Sequence, residues 1–289
     1  MIPPSFDYHA PRTLPEALAL LGQFGDEAKV LSGGQSLLPM MKLRLAQPAH
    51  LVDIGRIPGL DYIKEEGGVL KIGALAREAS LEASEIVRSR YPILADTAAV
   101  IADPLVRNLA TVAGNLAHGD PANDHPATML ALGAEVVATG PRDERTIPIG
   151  QFFTGLFTTA LEPTEVLTEI RIPAPPPGSG GAYMKLERKV GDFATAGAAA
   201  FLVIKGGVID RAGIGLTNVG PTPIKAREAE TYLAGKKPED AVFAEAGRIA
   251  ASAAKPGADR RGSVEYKKEM ARVLTVRALK KAAQRAAGR

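Results

Sequence analysis

Cysteine is absent from all 289 residues. Its absence excludes disulfides, thiolate zinc sites and a cysteine nucleophile. It also excludes an iron–sulfur cluster held by this chain, because those clusters need cysteine thiolates. Tryptophan is absent as well, and aromatics make up only 5%. Charge of one sign is not in excess: 35 basic against 32 acidic residues give +3. With no basic stretch interleaved with aromatics, that balance gives no argument for nucleic acid. No apolar run approaches the roughly 20 residues that span a bilayer, so no integral membrane segment is expected. The opening stretch, MIPPSFDYHAPRTLPEALALL, lacks a basic start followed by an apolar run, so no signal peptide is expected. The expected address is the cytoplasm, with association at the inner face of the cell membrane left open.

What is present is enough apolar surface for a sizeable core, 46% of residues, at a length that fits two domains. Thr13-Leu14-Pro15-Glu16 predicts a capping box and a helix with Ala17, Leu18, Leu20 and Leu21 facing inward. AKVLSGG predicts a short buried strand ended by glycines, and Leu51–Ile54 a second strand. YIKEEGGVLKIGAL predicts a hairpin turning at Glu66-Gly67-Gly68. Two helices are expected over Ser80–Val100, then a glycine-rich loop, a helix and a strand up to Gly140. PAPPPGSGG reads as a linker unable to form a regular element, with a boundary after Ile172. Beyond it, strands with a Gly206-Gly207 hairpin precede helices from Ala226, over Pro238–Ala254 and over Tyr266–Ala287. The fold class is α+β.

Two loops attract attention. Ser32-Gly33-Gly34-Gln35-Ser36 ends a strand with residues that permit close backbone approach, flanked by hydroxyls and an amide. Successive main-chain N–H groups in such a turn form a concave nest for an anion. An ordinary tight turn is the alternative. Thr111-Val112-Ala113-Gly114-Asn115 repeats the combination of hydroxyl, small residues, glycine and amide. Two such loops suit a pyrophosphate gripped from two sides. The usual nucleotide motifs are missing: there is no GxxxxGK[ST], and the glycines of GIGLTNVG do not fit GxGxxG.

LSGGQSLLPMMKLRLAQPAHLVDIGRI and TVAGNLAHGDPANDHPATMLALGAEV, with AYMKLERKVGDFATAGAAAFL and GLTNVGPTPIKAREAE, resemble the FAD-binding medium subunit of the molybdenum hydroxylase family. The likeness is greatest to the aerobic carbon monoxide dehydrogenase type. The resemblance implies a two-lobed FAD-binding domain of the vanillyl-alcohol oxidase (PCMH) type over 1–175, with lobes of about 1–55 and 56–175. A smaller C-terminal α+β domain would occupy 178–289. It implies FAD contacts from Lys29, Val30, Leu31, Ser32, Gly33, Gly34, Gln35, Ser36 and Leu37. It implies the same of Thr111, Ala113, Gly114 and Asn115, where the family usually carries TIGGN. Val112 and Ala113 depart from that pattern, Val112 conservatively, while Ala113 adds a methyl. Ile101 and Leu167 fall at apolar lining positions, Asp124 where an acid contacts FAD, and Lys185 where a base lies near the flavin. Asp192-Phe193 falls in the loop over the flavin face. Implied partners are a large molybdopterin-binding subunit and a small iron–sulfur subunit, in a dimer of heterotrimers. The missing cysteines fit a chain that receives electrons from another subunit. No catalytic residue and no metal ligand is expected here.

Other features have simpler readings. His118, Asp120, Asp124 and His125 match no standard metal spacing; the segment reads as a turn at Asp120-Pro121 followed by a helix capped by Asn123 or Asp124. His9 and His50 read as structural or surface histidines. Leu37, Leu38, Met40, Met41, Leu43 and Leu45 read as core. The basic terminal helix reads as packed on its own domain. The competing functions are a flavin-free scaffold, for which Ala113 is the one hint, and a self-sufficient flavin oxidase.

Overall fold

The computed structural model describes residues 2–288. The chain opens with strand β1 (Asp7–His9), helix α1 (Leu14–Phe24), β2 (Ala28–Leu31), α2 (Leu37–Lys42) and β3 (His50–Asp53). Helix α1 starts at the expected cap: Thr13 Oγ1 accepts the Glu16 N–H at 3.3 Å. The Glu16 carboxylate reaches back one residue further, to the Arg12 N–H at 2.8 Å. Ala17, Leu18 and Leu21 are buried, and Leu20 packs against them half-buried. The three strands form a parallel sheet ordered β1-β3-β2.

A second sheet follows. Strands β4 (Ile63–Glu66) and β5 (Val69–Gly73) form the expected hairpin, with Glu66 opposite Val69. Its two-residue loop needs positive φ twice, which Gly67 and Gly68 supply at 59° and 74°. The stretch expected to hold two helices holds three: α3 (Glu78–Ala83), α4 (Glu85–Arg90) and α5 (Pro92–Ala99). Extended backbone at Ser84, and Pro92 opening its own helix, break the run. Then come α6 (Pro104–Arg107), α7 (Val112–Ala117), α8 (His125–Leu132), β6 (Glu135–Thr139), β7 (Glu144–Pro148), α9 (Ile149–Phe152), β8 (Phe153–Gly155), β9 (Thr158–Thr159) and β10 (Val166–Pro173). The sheet order is β4-β5-β10-β6-β7, with β8 and β9 as a separate ribbon.

The third sheet is an antiparallel array, β11 (Ser179–Leu186), β12 (Ala196–Lys205), β13 (Val208–Thr217) and β14 (Ile224–Lys225), followed by α10 (Arg227–Leu233), α11 (Asp240–Ser252) and α12 (Val264–Ala286). The expected linker is shorter than its composition implied. Ser179, Gly180 and Gly181 belong to β11, paired with Val203, Leu202 and Phe201. Gly180 lies under α12: a Cβ there would strike the Ala282 carbonyl and the Ala286 N–H. The glycines thus serve close helix-on-sheet packing rather than a flexible join. Alternate residues of β12 face different cores. Ala199, Phe201 and Val203 pack with the second sheet and helices α3–α5 and α8, while Ala196, Ala198, Ala200 and Leu202 pack under α10–α12. As expected, α12 buries Ala271, Leu274, Ala278, Leu279 and Ala282 within its own half of the chain.

The reading of α2 and its sequel as core is corrected. Of the six apolar residues only Met41 is buried, and Leu43 and Leu45 are 55% and 71% exposed. The helix stops at Lys42, and Arg44 takes positive φ, 63°. Its guanidinium is spent on carbonyls, including Ile2 O at 2.6 Å. Among the described residues no helix is long and apolar enough to cross a membrane.

Candidate functional site

Strand β2 delivers the chain to Ser32, and the Ile54 N–H holds its last carbonyl, Leu31 O, at 2.9 Å. Gly34 then takes φ of 74°, a conformation that costs an L-residue with a Cβ. Among the described residues the N–H groups of Gly33, Gly34, Gln35 and Ser36 donate to no protein acceptor. Four successive unspent donors at a strand end are the nest that an anion requires. Lys29 is exposed on β2, Val30 and Leu31 are half-buried, and Leu37 opens α2.

The second stretch is not a loop along its whole length. Thr111 is the N-cap of α7, its Oγ1 accepting the Gly114 N–H at 3.1 Å, and Val112 to Asn115 form the first helical turn. Capping by threonine outweighs the turn tendency of a single glycine. Ala113 lies in that turn with its methyl in the core, 3% exposed, so it does not occupy the approach to the backbone. The one hint toward a flavin-free scaffold disappears with that placement.

The two stretches meet. Ser32 Oγ lies 3.0 Å from Thr111 Oγ1, across 79 residues of sequence. A Cβ on Gly33 would collide with the Leu109 carbonyl and come within 3.0 Å of the Thr111 nitrogen. A Cβ on Gly114 would sit 2.6 Å from Thr111 Oγ1 and 3.3 Å from Ser32 Oγ. What approaches these bare backbones, then, is the other loop itself. Asn115 adds a side-chain Oδ1 that is buried without a partner. Unspent amides and two fitted loops suit the pyrophosphate of a group such as FAD, and the orphaned Asn115 Oδ1, an acceptor, suits a hydroxyl of the same group.

Behind the second loop lies a buried charge network. Asp124 stands at the N-cap position of α8 but makes no side-chain cap bond, contrary to the capping expectation. Its carboxylate turns inward. Tyr183 Oη donates to it at 2.5 Å and Lys185 Nζ at 3.0 Å. Burial pushes the Asp124 carboxyl up, against the pull of Lys185 and Tyr183 toward the ionised form. Tyr183 is pushed far above its ordinary value by burial and by Asp124. Lys185 is 3% exposed at its side chain, and it also reaches Glu187 at 3.3 Å and the Val100 carbonyl at 2.8 Å. That last bond places it beside Ile101, which is buried just past α5. Leu167 lies apart, inside the second sheet opposite Ala138 at a bulge.

Sequence reading missed Tyr183, although its i, i+2 spacing from Lys185 on a strand put both on one face. It also missed the Glu78–His125 pair, 2.7 Å apart with both side chains fully buried. Nothing local marks that pair, because its partners open different helices, α3 and α8. His118 packs against Phe157 with ring centroids 5.2 Å apart, and burial lowers its pKa. His9 and His50 stack with Phe24. The Asp192-Phe193 loop is tied down by Arg261, which donates to Asp192 at 2.8 Å and lies over the Phe193 ring.

Residues 4–175 match the family described as the FAD binding domain in molybdopterin dehydrogenase, and residues 181–282 match the CO dehydrogenase flavoprotein C-terminal domain. The carbon monoxide dehydrogenase medium chain of Hydrogenophaga pseudoflava is 50% identical over 291 residues, covering 99% of this chain and 100% of that one. The medium chain from Afipia carboxidovorans is 46% identical over 286 residues, 99% of each. The solved Hydrogenophaga pseudoflava enzyme lacking the Mo-pyranopterin moiety has a chain that superposes with a TM-score of 0.96 over 99% of both chains at 50% identity. Fitted loops, unspent amides and full-length relatives agree: this α+β chain belongs to the family of FAD-binding medium subunits of the molybdenum hydroxylases.

Proposed function

We propose that this chain is the medium subunit of a carbon monoxide dehydrogenase-type molybdenum enzyme, holding FAD between the segments 32–36 and 111–115. The observation that carries this is the meeting of the two segments at Ser32 and Thr111, 3.0 Å apart, with four unspent amides beside them. Bound FAD supplies the redox chemistry. The chain supplies binding and electrostatics. Amides of Gly33 to Ser36 and the Ser32 hydroxyl would hold the diphosphate, with Asn115 and the first turn of α7 on the other side. Lys29 to Leu31 and Leu37 flank that loop, Ile101 would give the site apolar lining beside Lys185, and Leu167 would contribute from the second sheet behind it. Asp124 and Lys185, in one buried cluster with Tyr183 and Glu187, would lie beside the ligand, Asp124 near the ribityl or adenosine part and Lys185 near the ring. Ala113 supports the turn from behind.

The rest of the reading follows from what the chain lacks and from its relatives. Without cysteine it cannot hold iron–sulfur clusters. It therefore receives electrons from a small iron–sulfur subunit, beside a large molybdopterin-binding subunit, in a cytoplasmic dimer of heterotrimers. Carbon monoxide is the substrate class because the relatives at 50% and 46% identity bear that name over their whole length. The division into units of 1–175 and 178–289 belongs to the same proposal.

The test is co-purification of the chain with its two partner subunits. The complex is expected to show a flavin spectrum and to release FAD on denaturation. Carbon monoxide is expected to bleach it, and an aldehyde, a purine or an N-heterocycle to leave it oxidised. A colourless complex defeats the flavin assignment. Bleaching by one of the other substrates defeats only the carbon monoxide assignment, and bleaching of the chain without partners reinstates the self-sufficient oxidase.

A further inference from the structure

Thr111 Oγ1 has two polar neighbours. It accepts the Gly114 N–H at 3.1 Å and lies 3.0 Å from Ser32 Oγ. A hydroxyl that accepts one bond still has a proton to donate, and among the described residues Ser32 Oγ is the acceptor it has. Ser32 Oγ in turn has no other protein partner among the described residues. If Thr111 donates to it, the Ser32 proton is left for an acceptor outside the chain.

We infer that Thr111 is a positioning residue acting through Ser32, in a directed relay running from the Gly114 N–H to Thr111 Oγ, to Ser32 Oγ and on to a phosphate oxygen of the dinucleotide. The inference rests on the FAD reading above and deepens it: it assigns the Thr111 hydroxyl to Ser32 rather than to the ligand. Each donor in such a chain polarises the next, and the last bond falls on a charged acceptor, where hydrogen bonds are shortest and strongest. Either hydroxyl can be the donor in the free chain; the direction is set at the ligand end, because a phosphate oxygen can only accept, so Ser32 donates to it and is left to accept from Thr111. Gly114 leaves room for the relay, since a Cβ there would lie 2.6 Å from Thr111 Oγ1 and 3.3 Å from Ser32 Oγ. The geometry also couples the loops: a phosphate bound at Ser32 pulls on the cap of α7.

The experiment titrates FAD into the flavin-stripped complex containing the full chain, following flavin fluorescence. Ser32→Ala and Thr111→Val are each expected to weaken binding about tenfold, the worth of one hydrogen bond to a charged group. The double variant is expected to bind no more weakly than either single one. Thr111→Ser, which keeps the hydroxyl and the cap, is expected to stay within about twofold of the parent. Thermal unfolding without FAD gives a separate readout, because losing the cap lowers the midpoint whether or not Ser32 is present. Additive losses in the double variant, or failure of Thr111→Ser to restore affinity, would overturn the relay. Absence of FAD binding by the parent complex would instead overturn the reading on which it rests.

Discussion

Lys185 is the cation that faces two carboxylates, Asp124 and Glu187, of which Asp124 also accepts from Tyr183. The lysine side chain is 3% exposed, with Asp124 at 3.0 Å and Glu187 at 3.3 Å. Lys185→Met removes the cation and strands both acids, a change of the kind that costs about 3–5 kcal/mol. Asp124 is raised by burial even with the lysine present, so without it the folded-state value rises further. A raised acid binds its proton more tightly when folded, so stability falls as pH climbs above the ordinary carboxylate range. The Lys185→Met deficit in urea unfolding is thus expected to be larger at pH 8 than at pH 5, and equal deficits would refute the argument. Asp192 behaves oppositely. The Arg261 hydrogen bond, with help from Arg188, holds its carboxyl down at about 2. A depressed acid stabilises the fold fully above its unfolded value, and that contribution is lost as pH falls through the folded one. Protection of the amides in the 188–193 loop, taken relative to the intrinsic exchange rate at each pH, is expected to fall between about pH 4 and about pH 2 in the parent protein, and to show no such fall in Asp192→Asn.

At the scale of the element, close approach decides where glycines stand. Gly180→Ala is expected to push α12 off β11, because the added methyl meets helix backbone rather than a yielding side chain. Overpacking of this sort costs about 1–3 kcal/mol, readable as a lowered thermal midpoint. Gly206→Ala, with nothing within 4 Å but φ of 57°, is expected to disturb the hairpin tip alone. Elements of this local kind were legible in the sequence. The Gly67-Gly68 and Gly206-Gly207 hairpins and the Thr13 cap each need only neighbouring residues. The two glycine-bearing segments stand out in the sequence by their residue types, though composition reveals neither that they meet nor that Thr111 caps a helix. Long-range choices were not legible. Asp124 turns from its cap position because Tyr183, 59 residues away, offers it a bond. Leu43 and Leu45 have core-like spacing, yet positive φ at Arg44 ends the helix before they can be carried inward. The count of helices between 78 and 99 failed because Ser84 is extended without being proline or glycine.

For the molecule as a whole, the third sheet belongs to two cores at once. Tyr183, Ala199, Phe201 and Val203 complete the core of the FAD-binding half, while the alternate residues of β12 complete the C-terminal core. Asp96 on α5 adds a clasp, accepting from Arg285 at 2.6 Å and from Lys281 at 3.2 Å, both on α12. Arg285 closes the ring by donating to the Gly181 carbonyl at 2.6 Å. Two independent domains would unfold separately, but two layers sharing one sheet lose their common wall together. The intact chain is therefore expected to give a single calorimetric transition with matching van't Hoff and calorimetric enthalpies. Residues 178–289 expressed alone would expose the apolar face of β12, and are expected to bind hydrophobic dyes and lack a sharp melt. Asp96→Ala in the full chain weakens only the clasp, so it is expected to lower the midpoint while the transition stays single. A well-resolved, cooperative melt of the fragment would mean that the halves are joined by contact alone and that the sheet does not bind them into one folding unit.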